Sequence, residues 1–91
     1  MSNVLSDAEV ERNLPDGWRR DGDEIARTYE FDDYLDGVVF ANAVAEVAEE
    51  QQHHPTIEIA YGSVTVRYTT HEVDGITKRD LRLAELCNDE R

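Results

Sequence analysis

Pro55 stands between two hydrophobic periods that cannot share one secondary structure. Before it, Phe40, Ala43, Val44, Val47 and Ala48 recur at helical spacing and make one apolar stripe. After it, Ile57, Ile59 and Tyr61 alternate with Thr56, Glu58 and Ala60, and Val64, Val66 and Tyr68 alternate with Thr65, Arg67 and Thr69, which is the period of a strand. Proline has no N–H and crowds the residue before it. A long helix capped by Asp32 or Asp33 must therefore end near Gln52, and His54 is pushed toward extended backbone. Gly62-Ser63 supplies a tight turn between the two alternating runs, so they read as a hairpin.

The remaining elements carry their own punctuation. Ser6-Asp7-Ala8-Glu9 reads as a capping box opening a short helix that stops before Pro15-Asp16-Gly17. A strand around Trp18–Arg20 meets the hairpin signal Asp21-Gly22 and returns over roughly Glu24–Phe31, with Ile25, Tyr29 and Phe31 on one side of the pleat. Thr77 is placed to cap a last helix of about three turns, along which Leu81, Leu83, Ala84, Leu86 and Cys87 are spread. The order α-β-β-α-β-β-α has no alternating βαβ unit. It predicts an α+β domain over residues 1–91, in which helices cover one face of a four-stranded antiparallel sheet as a second layer.

Composition narrows the function. Asp and Glu outnumber Lys and Arg by 21 to 9, for a formal charge of −12, which argues against phosphate-rich partners: neither nucleic acid nor an anionic membrane is expected. The chain lacks an apolar run of about 18 residues, and its N-terminus does not read as a signal peptide, so a cytoplasmic location is expected. One cysteine, Cys87, can form neither an internal disulfide nor a multi-thiolate metal site, and packing is its expected role. Lys78 is the one lysine among the basic residues. An acid-rich, lysine-poor surface suits a salt-rich cytoplasm, where screening suppresses self-repulsion, and predicts a halophilic protein.

The three histidines of the chain are the adjacent pair His53-His54 and the later His71. Glu49 lies four residues before the pair and Asp80 nine after His71. Imidazoles give and take protons near neutral pH, so this set forms a candidate acid/base site. Asp80 also stands three residues after Thr77, where it can complete a capping box; the helix-capping and imidazole-orienting roles are both open to it. Three histidines could alternatively bind zinc, but adjacent histidines on extended backbone point to opposite sides, which makes joint ligation awkward.

On these residues the chain resembles the pterin-4a-carbinolamine dehydratase family, whose vertebrate members are also dimerisation cofactors of a homeodomain transcription factor. The resemblance runs through Gly17-Trp18, the Asp21-Gly22 turn, Ile25-Ala26-Arg27 leading to Phe31, and Ala48-Glu49. It continues through His53-His54-Pro55, Tyr61, Thr70-His71 and Gly75-Ile76-Thr77, ending at Asp80. Thr56-Ile57 departs from members with an acidic residue and Trp there, and Tyr68 stands where Leu is common.

The resemblance implies dehydration of 4a-hydroxytetrahydropterin, the pterin-4a-carbinolamine, to quinonoid dihydropterin and water, with no metal or organic cofactor. It implies His53 and His71 as the main proton-transfer pair and His54 as a pterin-positioning group that can assist transfer. Glu49, Asp80 and Pro55 become orienting or substrate-binding residues. Trp18 and Tyr61 are expected as core or interface aromatics, and the assembly as a homodimer through sheet edges or a homotetramer. Two rival functions stay open at this point: a noncatalytic dimerisation or binding module of the same fold, and action on another pterin, as in molybdopterin metabolism.

Overall fold

The computed structural model describes residues 3–91. Its elements are α1 (Asp7–Asn13), β1 (Arg19–Asp21), β2 (Glu24–Glu30), α2 (Tyr34–Gln51), β3 (Thr56–Ala60), β4 (Ser63–Tyr68) and α3 (Lys78–Asp89), with a 3₁₀ turn over His71–Val73 before α3. The predicted order stands. Both expected capping boxes are present: Ser6 with Glu9 opens α1, and Thr77 with Asp80 opens α3. Asp33 caps α2 by accepting from the Leu35 N–H at 2.9 Å.

The strands form one antiparallel sheet in the order β1-β2-β4-β3, so α2 carries the chain from a central strand to the far edge. Both hairpin loops sit one residue later or earlier than their sequence signals. In the first, Asp21 pairs with Glu24 and the loop is Gly22-Asp23, with Gly22 at φ +64 in the first loop position, where a type II′ turn requires glycine. In the second, Ser63 pairs with both Ala60 and Glu30 and so belongs to β4, which leaves Tyr61-Gly62 as the loop.

Directly paired residues share a face, and the two faces of the sheet differ in kind. One carries Ile25, Tyr29, Val64, Val66 and Tyr68, which are buried with Val10 of α1, Phe40 and Val44 of α2, and Leu83, Ala84 and Cys87 of α3. The other is polar. There Thr28 and Thr65 face each other at 2.8 Å, and Arg67 reaches Glu58 at 3.0 Å, Asp21 at 3.1 Å and Glu24 at 3.4 Å. Cys87 takes the packing place expected of it. Tyr61 does not enter the core: it is 81% exposed at the tip of the second hairpin and stacks on Tyr34 at 6.4 Å.

A run of aromatic rings crosses the core. Phe31 meets Phe40 at 5.4 Å, Phe40 meets Tyr29 at 4.5 Å, Tyr29 meets Trp18 at 6.5 Å and Trp18 meets Tyr68 at 6.2 Å. Tyr68 then stacks on His53 at 5.6 Å with 13° between the planes. Aromatic pairs at such separations stabilise by about 0.5–1.5 kcal/mol each beyond area burial. The packing of the core therefore ends on the imidazole of the first candidate site residue.

Candidate active site

Two chain reversals build the site. At the end of α2, Gln52 adopts φ 52, and the following His53 N–H reaches back to the Ala48 carbonyl at 3.1 Å. This left-handed step turns the chain under the helix end. His53, His54 and Pro55 then run without regular structure into β3. The consequence is a split pair: His53 is 6% exposed, whereas the His54 side chain is 57% exposed.

Each of the two imidazoles has a carboxylate. His53 Nε2 lies 2.6 Å from Asp80 Oδ1 in the interior, and His54 Nε2 lies 2.5 Å from Glu49 Oε2 at the surface. Glu49 is on the last turn of α2, close enough in sequence for its side chain to meet the residue that follows the reversal. Asp80 is on the first turn of α3 and fully buried. Its Oδ2 accepts from the Thr77 N–H at 2.9 Å and from the Thr70 hydroxyl at 2.8 Å. The capping and imidazole-holding roles that the sequence left open therefore coexist, one on each carboxylate oxygen.

His71 departs from expectation. The run of Val64, Val66 and Tyr68 leads toward it as a strand would, but β4 ends at Tyr68 and His71 opens the 3₁₀ turn, exposed to solvent. The turn is tied at its base by Thr70 N–H to the Gly75 carbonyl at 2.9 Å and closed by Asp74 at φ 50. Gln52 and Asp74 are the two non-glycine residues with positive φ among those described, and they adjoin the segments of His53 and His71. Left-handed backbone at such residues costs about 1 kcal/mol or more and persists where surrounding structure over-determines it.

Arg79 links those segments. Its guanidinium donates to the Gln52 carbonyl, just before His53, at 3.1 Å, and meets Glu72, just after His71, at 3.5 Å. No three His, Cys, Asp or Glu side chains among the described residues group as metal ligands. Sequence reasoning missed Tyr68, whose ring fixes the plane of His53, and Thr70, whose hydroxyl fixes Asp80. For Tyr68 the strand alternation signalled burial but not what lay beside it. Thr70 had as its only signal its place beside His71.

The arrangement offers one sheltered imidazole held by a buried carboxylate, one exposed imidazole held by a surface carboxylate, and one exposed imidazole on a pinned turn. Such groups can move protons to and from a small polar substrate.

The chain resembles known proteins over nearly its whole length. A chain from Halobacterium salinarum, provisionally named a pterin-4-alpha-carbinolamine dehydratase, is 50% identical over 91 residues, covering 100% of each chain. One from Natronomonas pharaonis with the same provisional name is 53% identical over 85 residues, covering 93% of this chain and 92% of the other. The crystal structure of a transcriptional coactivator/pterin dehydratase from Brucella melitensis superimposes with a TM-score of 0.87 at 32% identity, covering 97% of this chain and 98% of that one. The pattern of the pterin 4 alpha carbinolamine dehydratases matches residues 3–90, and the chain belongs to that family.

Proposed function

We propose that this protein dehydrates a 4a-hydroxytetrahydropterin to the quinonoid dihydropterin and water by histidine acid/base catalysis. The C4a hydroxyl takes a proton and leaves as water, while a ring N–H proton passes to the protein, so the proton count is unchanged over a turnover. His53 and His71 carry these two transfers. His54, braced by Glu49 at 2.5 Å, positions the pterin, and Pro55 keeps His54 on extended backbone. Asp80 orients His53. The observation that carries the reading is the 2.6 Å contact between a buried imidazole and a fully buried carboxylate, next to a second imidazole turned outward. A carboxylate so placed holds an imidazole in one orientation.

Stopped-flow absorbance of 4a-hydroxypterin loss, corrected for spontaneous dehydration, tests it. His53→Ala and His71→Ala each lower the rate by roughly 10²- to 10⁴-fold, the usual contribution of general acid/base catalysis, with the fold kept. His54→Ala raises KM more than it lowers kcat. Wild-type protein no faster than the uncatalysed reaction, or a double His53→Ala/His71→Ala variant as fast as wild type, refutes the assignment, and loss of activity with chelator points to zinc instead. The same assay over pterins with different side chains identifies the preferred one. The Brucella melitensis neighbour, a transcriptional coactivator/pterin dehydratase, favours a second reading, a protein-binding module. On that reading a variant with His53, His54 and His71 all replaced by Ala binds its partner as well as wild type does, and no pterin turns over.

A further inference from the structure

Around an ionised Asp80 carboxylate, which can only accept, the chemistry of the neighbouring groups leaves one arrangement of hydrogens. The Thr77 N–H can only donate, and it reaches Oδ2 at 2.9 Å. Thr70 Oγ1 stands 2.8 Å from the same oxygen and 2.8 Å from Thr77 Oγ1. Thr77 Oγ1 already accepts from the Arg79 N–H at 3.3 Å, and its own hydrogen points on to Thr70 Oγ1. The Thr70 hydrogen is then left for Asp80 Oδ2. The reverse direction would set two acceptors against each other where Thr70, Thr77 and Asp80 are all shut off from water.

With two donors on Oδ2, Asp80 is the acceptor of the cluster. The contact of Oδ1 with His53 Nε2 at 2.6 Å then needs its hydrogen on the nitrogen. A neutral imidazole holds one N–H, so Nδ1 carries the lone pair. Tyr68 Oη is the one sealed side-chain nitrogen or oxygen without a partner among the described residues. Nδ1 of His53 makes no hydrogen bond to the described residues and is not sealed, so solvent reaches it.

We propose that Thr70 is a positioning residue whose hydroxyl, acting through Asp80, holds His53 as the Nε2–H tautomer, so that every proton His53 gives or takes passes through Nδ1. The consequence for turnover rests on the dehydratase reading, but the tautomer does not depend on any substrate. The stack of Tyr68 on the imidazole fixes the ring plane and leaves rotation within that plane to the Asp80 bond.

Two-bond ¹H–¹⁵N correlation spectra of ¹⁵N-histidine protein, recorded without pterin over a range of pH, read the tautomer of His53 directly. The wild type shows Nε2–H. Thr70→Ser keeps both the tautomer and kcat, whereas Thr70→Val, equal in shape but without the hydroxyl, mixes the tautomers and lowers kcat about tenfold at nearly constant KM, as lost outer partners of a working imidazole do. Wild-type His53 in the Nδ1–H form, or a Thr70→Val spectrum identical to wild type, overturns the proposal. If Thr70→Val does not fold, the wild-type and Thr70→Ser spectra decide, since an Nδ1–H signal in either overturns it. A tautomer that follows Thr70 in a protein with no dehydratase activity sinks the enzyme reading and sustains this one. Full activity with a tautomer indifferent to Thr70 does the reverse.

Discussion

Cys87 and Tyr29 are buried as neutral acids, and their burial links stability to alkaline pH. Loss of water around them pushes the thiol from its ordinary 9.0 up to about 12 and the Tyr29 phenol from 10.0 up to about 12; Tyr68 is pushed up further for the same reason. The folded values lie above the unfolded ones, so unfolding releases protons. This contribution is fully present below the unfolded values and is lost as pH rises through the folded ones. The urea midpoint should therefore be flat up to about pH 9 and fall between about 9 and 12. In Cys87→Ala the fall begins later, near the ordinary tyrosine value of 10.0. A midpoint unchanged from pH 9 to 12 would contradict the assigned burial.

The end of α3 is fastened to the sheet by one carboxamide. Asn88 Oδ1 accepts from Trp18 Nε1 at 3.0 Å, Arg27 at 2.9 Å and the Tyr29 hydroxyl at 2.5 Å, and its Nδ2 donates to the Asp16 carbonyl at 3.1 Å. It joins the loop before β1, strand β2 and the last helix at the polar rim of the aromatic run. Gly17 belongs to this joint: at φ +80 it lies against the Arg27 guanidinium, and a Cβ there would stand 2.5 Å from it. Asn88→Ala leaves the indole N–H and phenol O–H half-sheltered without their acceptor, while Arg27 keeps the Asp16 carbonyl. A loss of about 2 kcal/mol follows, readable as a lower urea midpoint with an unchanged slope. Dehydration kinetics should change little, because none of these groups touches the histidines. A variant as stable as wild type would mean that the joint contributes nothing.

At the scale of the whole molecule, charge and open edges govern behaviour. The protein measures 38 × 24 × 19 Å and carries −12 formal charge, so a screening length of about 30 Å at 0.01 M salt lets repulsion act across it, against about 3 Å at 1 M. Melting temperature should therefore rise steeply from low to molar KCl, and no change over that range would defeat the halophilic reading. Relatives from Halobacterium salinarum and Natronomonas pharaonis are in keeping with it. Among the described residues both sheet edges, β1 and β3, lack a partner strand, and Ile59, Tyr61, Tyr34, Leu35 and Val39 are exposed near the β3 side and on α2. Open edges and exposed apolar groups are templates for pairing with another copy. Light scattering in high salt should give twice 10.4 kDa or more, with Ile59→Lys weakening the assembly; a 10.4 kDa species alone would rule it out.

Local rules were enough for most of the architecture. The change of period at Pro55, the Ser6 and Thr77 capping boxes and the glycine-marked turns act over a few residues, and each element they predicted is present. Turn placement slipped by one residue because register depends on the partner strand: Ser63 is claimed by Glu30 of β2, which lies far away in sequence. The His53-His54-Pro55 motif with Glu49, His71 and Asp80 was legible as a set of chemical types, and proline together with extended backbone implied that the pair would split. Which histidine faced inward was not legible, because that follows from Tyr68 and Asp80, placed beside His53 by a strand and a helix distant along the chain. The sequence by itself thus determined the elements and the chemistry available. Tertiary structure alone decided the turn under His71, the exposure of Tyr61 and the Thr70–Asp80–His53 relay, since burial and long-range hydrogen bonds exist only once the layers have packed.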